Sequence, residues 1–367
     1  MTSINDLFVK MTENKASDLF ITVGVPPIMK SDGKLIPLND TPLTPKESHD
    51  IIWSLMDNKQ QLEFMSTKEC NFAVQTSAGR FRVNAFSQQS NTGGVLRRIE
   101  TKIPELAELH VPLILSEFVM MQRGLIILVG GTGSGKSSTL AAMINYRNHN
   151  SSSHIITIED PIEFVHSHAK SIITQREVGI DTESFEAALK NTLRQAPDVI
   201  LIGEIRSQET MNYAMNFSET GHLCLATLHA NNANQAMDRI INFFPHEKRE
   251  QLLTDLSLNL RAIVAQQLIS LSTGKGMVPE VEILINSPVV SETIRKGDVA
   301  AIKEYMNKST TIGMQTFDQA LFNLYKENKI TYENALKHAD SENELRLQIK
   351  LSKGNTNSSL SDIKLQN

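Results

Sequence analysis

Between Gly130 and Ser137 the chain reads G-G-T-G-S-G-K-S. This fits the spacing G-x-x-x-x-G-K-[ST], with Gly130, Gly135, Lys136 and Ser137 at the fixed places. Glycines let the backbone fold back so that several N–H groups point into one concavity. A helix starting there adds its partial positive charge, and phosphates sit at such a place. The expected cradle is Gly130, Gly131, Thr132, Gly133, Ser134, Gly135, Lys136, Ser137 and Ser138. Lys136 would reach the β- and γ-phosphates of bound ATP, and Ser137 would hold Mg2+ through its hydroxyl. The flanks argue against a plain glycine turn. Leu125 to Val129 is a short apolar, β-branched run that reads as a buried strand, and Ser138 to Ile144 reads as a helix start.

Hydrolysis at such a cradle needs a water in line with the terminal phosphate and a group to orient or deprotonate it. Glu163 and Glu204 are the candidates. Glu204 follows the apolar run Asp198 to Ile202, at the place from which a carboxylate contacts Mg2+ directly or through water, with Gly203 where an aspartate often stands. Glu159, Asp160 and Glu163 follow the neighbouring strand, and crowded carboxylates repel, which raises a pKa toward a general base's. The plainer reading of that group is a solvated acidic loop. His229 ends a further strand, where an imidazole could sense the γ-phosphate. His222 falls at the other end of the same strand and reads as structural. Arg82, Arg97 and Arg98 lie far upstream; they become catalytic only as arginine fingers over a nucleotide, and are otherwise surface charges.

The elements that would carry these residues change character along the chain. Residues 1–100 read as a small α+β domain: a helix at Ile4–Met11, a strand at Leu19–Val23, a hairpin turning at Asp32-Gly33, one helix over Pro45–Ser66, and strands at Phe72–Val74, Arg80–Phe86 and Gly93–Arg97. A linker spans 101–112. Over 113–340, strands at Leu125–Val129, Ser153–Ile158, Asp198–Ile202, His222–Leu228 and Val281–Ile285 alternate with helices, which predicts a mostly parallel sheet with helices on its faces. Ligands of such sheets bind at the carboxyl ends of strands. The phosphate loop, the Glu159–Glu163 group, Glu204 and His229 all fall there. Gln251–Gln267 is expected to be helical. Residues 341–367 read as a polar, partly disordered tail, with a strand at 344–352 because Leu345, Leu347, Ile349 and Leu351 alternate with polar residues.

Composition narrows the function further. The 367 residues carry 40% hydrophobic and 21% charged side chains, which suits a globular protein of two or three domains. A net charge of −5 and 5% aromatic residues offer little to a phosphate backbone or to stacked bases, so no nucleic-acid partner is expected. No apolar run approaches a membrane span, so no transmembrane segment is expected, and the N-terminus lacks the apolar core of a signal peptide. Cys70 and Cys224 give neither a disulfide framework nor a four-cysteine zinc site.

Taken together, four stretches resemble the signatures of the secretion and type IV pilus ATPases. They are G-G-T-G-S-G-K-S, I-T-I-E-D-P-I-E-F (Ile156–Phe164), D-V-I-L-I-G-E-I-R (Asp198–Arg206) and T-G-H-L-C-L-A-T-L-H (Thr220–His229). S-D-L-F-I-T-V-G (Ser17–Gly24) and R-F-R-V-N-A-F (Arg80–Phe86) are similar to the first domain of the retraction branch, the PilT/PilU group. The resemblance covers about residues 1–340. It implies a PAS-like first domain, a RecA-like ATPase domain with a helical C-terminal part, and nucleotide held in a homohexameric ring. It also implies Glu163 as the catalytic carboxylate and Glu204 as the residue of the variant Walker B motif. The absence of a four-cysteine site and of a longer N-terminal region favours retraction over assembly members. Val289–Arg295, where a typical PilT reads A-I-R-N-L-I, and the longer tail point to the PilU-like branch. The partners so implied are a PilT-type retraction ATPase and an inner-membrane pilus platform protein, at the cytoplasmic face of the membrane. Two rival readings are a RecA-like ring that translocates nucleic acid, disfavoured by charge, and a non-hydrolysing accessory subunit, disfavoured by the retained Lys136, Glu163 and Glu204.

Overall fold

The computed structural model describes residues 4–31, 33–99, 102–309 and 312–356. Its contacts divide into two compact units, one of Met1–Lys102 with Glu163–Val165, the other of Ile103–Ile162 with His166–Asn367. The first is a PAS-like α+β unit. It runs α1 (Ile4–Glu13), β1 (Asp18–Ile21), β2 (Ile28–Ser31), β3 (Lys34–Pro37), α2 (Pro45–Trp53), α3 (Asn58–Thr67), β4 (Glu69–Thr76), β5 (Gly79–Gln88) and β6 (Asn91–Ile99). The strands form one antiparallel sheet in the order β3-β2-β1-β6-β5-β4. Period-two alternation along β5 buries Phe81, Val83 and Ala85, which pack with Leu7, Phe8, Met11, Ile52 and Phe64 of the helices. The single helix expected over Pro45–Ser66 is two helices. Asp57 interrupts it by capping α3: its carboxylate accepts from the Gln60 N–H, and the Gln60 side chain accepts from the Asp57 N–H. The β2–β3 hairpin is present, with Asp32 of the expected turn outside the described residues.

The second unit has a RecA-like layout. In order it comprises α4 (Ile114–Met120), β7 (Gly124–Val129), α5 (Lys136–Asn150), β8 (His154–Glu159), β9 (Ile172–Glu177), α6 (Phe185–Thr192), β10 (Val199–Ile202), α7 (Gln208–Glu219), β11 (Leu223–Leu228), α8 (Ala233–Asn242), α9 (Arg249–Asn259), β12 (Leu260–Ser270), β13 (Met277–Ile285), α10 (Pro288–Arg295), α11 (Val299–Lys308), α12 (Phe317–Lys326), α13 (Tyr332–His338) and α14 (Glu342–Thr356). Its seven strands lie in the order β13-β12-β7-β11-β10-β8-β9. All neighbours are parallel except β12 and β13. Helices cover both faces, so β7 is buried throughout: Leu125, Ile127 and Val129 enter one core layer, and Ile126 and Leu128 the other. Cys224 on β11 and Cys70 on β4 are buried thiols, and burial pushes both up in pKa, Cys70 to about 11.

Two expectations are corrected here. Gln251–Gln267 is helical only to Asn259; Leu260–Ser270 is β12, beside the phosphate-loop strand. Ala262, Ile263, Val264 and Ala265 are all fully buried, as a strand covered on both faces requires, and such a continuous apolar run carries no period to distinguish strand from helix. The strand expected at 344–352 is instead part of α14. Leu345 and Ile349, four residues apart, are buried against Leu321, Ile330 and Ala335, while Leu347 and Leu351 are exposed. A partner core three and four residues apart outweighed a two-residue alternation that had no sheet edge to join. Residues 357–367 lie outside the described residues.

Candidate active site

Parallel pairing of β7, β11, β10 and β8 brings four chain segments to one edge of the sheet. The phosphate loop leaves β7, His229 follows β11, Gly203 and Glu204 follow β10, and Asp160 follows β8. Gly133 and Gly135 adopt φ of 77° and 85°, left-handed values that fold the loop under the first turn of α5, and Gly135 is that helix's N-cap. Lys136 Nζ donates to the carbonyls of Gly130 and Gly131, both at 2.8 Å, and approaches Ser134 Oγ at 3.4 Å. The ammonium is therefore held across the mouth of the loop by its own backbone, where an anion would draw it outward.

Glu204 is the hub of the opposite wall. Its Oε2 accepts from Arg206 Nε at 2.7 Å, and its Oε1 lies 3.3 Å from His229 Nε2. Arg206 also donates to Asp160 Oδ2 at 3.3 Å, and these two carboxylate partners raise its already high pKa further, the Glu204 hydrogen bond most. One chain of contacts, His229–Glu204–Arg206–Asp160, thus joins the ends of β11, β10 and β8. Gly203 explains itself by close approach. A Cβ there would lie 3.0 Å from the Ile158 carbonyl oxygen and 3.1 Å from Glu159 Cα, so the aspartate common at this place would crowd the β8 backbone.

The remaining residues named from the sequence separate by environment. Glu159 is turned back to its strand, accepting from Thr157 Oγ1 at 2.6 Å and Gln175 Nε2 at 3.1 Å. Glu163 is exposed on the segment that follows the cis Asp160–Pro161 bond. His222 bonds the Phe217 carbonyl and Thr220 Oγ1 at the far end of β11, a structural role. Arg82 and Arg97 belong to the first unit, where they stand opposite each other on β5 and β6. Arg97 Nε donates to the buried Asp18 at 2.9 Å, and Arg98 Nε to the Ala16 carbonyl at 3.2 Å. Two residues of the ATPase unit escaped sequence reading. Arg206 lies inside a stretch noted for Glu204, and its alternating charge with Glu204 was the available signal. Gln266 is a buried polar residue in an apolar strand, masked by the helical reading of that segment.

The phosphate loop and Lys136 suit a polyphosphate. Among the described residues no cluster of three or more His, Cys, Asp or Glu side chains could hold a metal by itself. A Mg2+ ion would therefore need oxygens of a bound phosphate beside the Ser137 hydroxyl and a carboxylate.

Comparison with known proteins bears on the same residues. Residues 55–363 match the family described as "Type II/IV secretion system protein". The type IV pilus ATPase PilU of Pseudomonas aeruginosa is 59% identical over 342 residues, covering 93% of this chain and 90% of that protein. The retraction ATPase PilT of the same organism is 39% identical over 337 residues, 92% of this chain and 98% of its own. The crystal structure of the pilus retraction motor PilT with bound ADP superimposes with a TM-score of 0.89 at 39% identity, covering 95% of this chain and all of that one.

Proposed function

The chain belongs to the type II/IV secretion system family of ATPases, and on that premise we propose that it is the PilU-like subunit of a type IV pilus retraction motor, hydrolysing ATP to drive retraction and twitching motility. The observation that carries this reading is the meeting, at one edge of a parallel sheet, of a phosphate loop with the Glu204–Arg206–Asp160–His229 chain. We propose residues 1–100 and 113–340 as its two domains, joined by 101–112, with nucleotide held in a homohexamer. A PilT-type ATPase and an inner-membrane platform protein would be its partners, at the cytoplasmic face of the inner membrane. Among the described residues no helix is long and apolar enough to cross a membrane.

In this reading the loop N–H groups from Gly131 to Ser138 bind the phosphates, and Lys136 exchanges its loop carbonyls for phosphate oxygens. Ser137 and Glu204 would hold Mg2+, which supplies positive charge for the transferring phosphoryl group. Arg206 fixes the Glu204 carboxylate between β10 and β8, and His229 holds its other oxygen. Glu163, free of the strand contacts that tie down Glu159, takes the proton of the attacking water. Arg82 and Arg97 serve as arginine fingers.

Purified wild-type chain should hydrolyse ATP. Lys136→Ala should lose nucleotide binding, whereas Glu163→Gln should bind ATP but lower kcat by about 10²–10⁴-fold, the usual contribution of a general base. A Glu163→Gln variant with wild-type turnover would move the base to Glu204 or Glu159. Pilus retraction in cells lacking this chain, with and without a PilT-type paralogue, tests the motor role.

A further inference from the structure

We infer that Gln266 is a positioning residue for nucleotide binding, one that sets the shape of the phosphate loop from the neighbouring strand. The inference rests on the ATPase reading above. Gln266 lies on β12, which pairs directly with β7, and is 2% exposed. Its Nε2 donates to the Ser134 carbonyl at 2.8 Å, and its Oε1 accepts from Thr139 Oγ1 at 2.8 Å. The amide orientation follows from chemistry, because a carbonyl only accepts and must face the NH2 group. One side chain therefore ties the last peptides of the loop to the first turn of α5. The loop also closes down on residue 266. A Cβ at Gly130 would fall 2.4 Å from the Gln266 carbonyl oxygen, and one at Gly135 would fall 2.7 Å from its Nε2.

The residue type is the point. The site needs a donor and an acceptor on one short neutral group, buried where an unpaired polar atom is costly. Leucine fills the volume but leaves the Ser134 carbonyl and the Thr139 hydroxyl without their partner. An ionised glutamate keeps the Thr139 bond and sets a negative oxygen against the Ser134 carbonyl. Protonated glutamate restores the pattern, with O–H as donor and C=O as acceptor. Burial favours that neutral form.

The test uses full-length protein and the fluorescent nucleotide mant-ATP with Mg2+, with Kd, KM and kcat measured at about pH 6 and about pH 8.5. Gln266→Leu should weaken mant-ATP binding roughly tenfold or more and raise KM by more than it lowers kcat, as losing a buried hydrogen-bond partner implies. Gln266→Glu should bind weakly at the higher pH and recover toward the wild-type Kd at the lower, while the wild-type Kd changes far less. A merely structural role would lower the melting temperature without that pH-dependent rescue. Wild-type affinity in Gln266→Leu overturns the inference, as does a Gln266→Glu defect that is the same at both pH values. If Gln266→Leu does not fold, the glutamate variant decides. A wild-type chain that binds no mant-ATP overturns the ATPase reading and this inference with it.

Discussion

Gly203 shows how backbone approach bears on residue type beside the candidate site. Its N–H donates to the Ile158 carbonyl at 2.7 Å, so β10 and β8 remain paired beyond the last strand residue, and a side chain here would crowd that approach. Gly203→Ala should cost roughly 1–3 kcal/mol, the usual penalty of overpacking, and Gly203→Asp should cost no less without improving hydrolysis. Chemical denaturation checks both. Glu280 on β13 is a different case. It is fully buried, and neither carboxylate oxygen finds a hydrogen-bonding partner among the described residues. Burial, and then Asp340, Asp318 and Glu282 nearby, push its pKa up to about 9. Burial also lifts Glu282 to about 7, although the Ala233 N–H donates to it at 2.8 Å. The native state therefore holds protons that the unfolded chain has released. Both contributions are present in full below the ordinary carboxylate value of 4.5 and are lost as pH rises through about 7 and about 9. The melting temperature should fall from about pH 6 to about pH 9. Glu280→Gln should flatten that slope and stabilise the protein by roughly 1–3 kcal/mol at the alkaline end.

Among the elements, α14 has changed most from its expected form, and its energetics follow from which residues it buries. Leu345 and Ile349 enter the small core formed by Leu321, Ile330 and Ala335, and Asp318 accepts from the Asp340 and Ser341 N–H groups to hold the helix start. An ion pair between Arg346 and Glu342 runs along its outer side. Leu345→Ala should destabilise by about 2–5 kcal/mol, whereas exposed Leu347→Ala should stay within about 0.5 kcal/mol. Equal effects, read by thermal melting, would contradict this packing. Removing the helix should weaken the protein through the same core. Strand β12 makes the converse case: its apolar run is buried on both faces, and Gln266 within it is satisfied by the loop and the first turn of α5.

For the whole molecule, the proposed ring of six rests on the proposed role of Arg82 and Arg97, residues of the first unit, as arginine fingers. Arg97 is exposed while bound to Asp18, and so is presented on a braced support rather than a mobile side chain. A subunit interface completed by nucleotide should make assembly depend on it by mass action. Light scattering should give a hexamer at micromolar protein with ATP and Mg2+; a monomer under those conditions would rule the ring out. A net charge of −5 gives the chain no overall basic field.

Local pattern was enough to read the phosphate loop, the parallel strands and the convergence of Glu204 and His229 at one edge. Glycine spacing, short apolar runs and turn residues are short-range signals, and parallel strands put all their carboxyl ends on the same side. Local pattern could not separate strand from helix in Leu260–Ser270 or choose a face for Leu345–Leu351. Both depend on what packs against them: helices on both sheet faces for β12, and the α12–α13 core for α14. The Arg206–Asp160 link and the Gln266 brace were illegible, because their members lie 46 and 127 residues apart. Hydrogen bonds between such residues exist only after the sheet has set which strands are neighbours, and no spacing along the chain encodes that order.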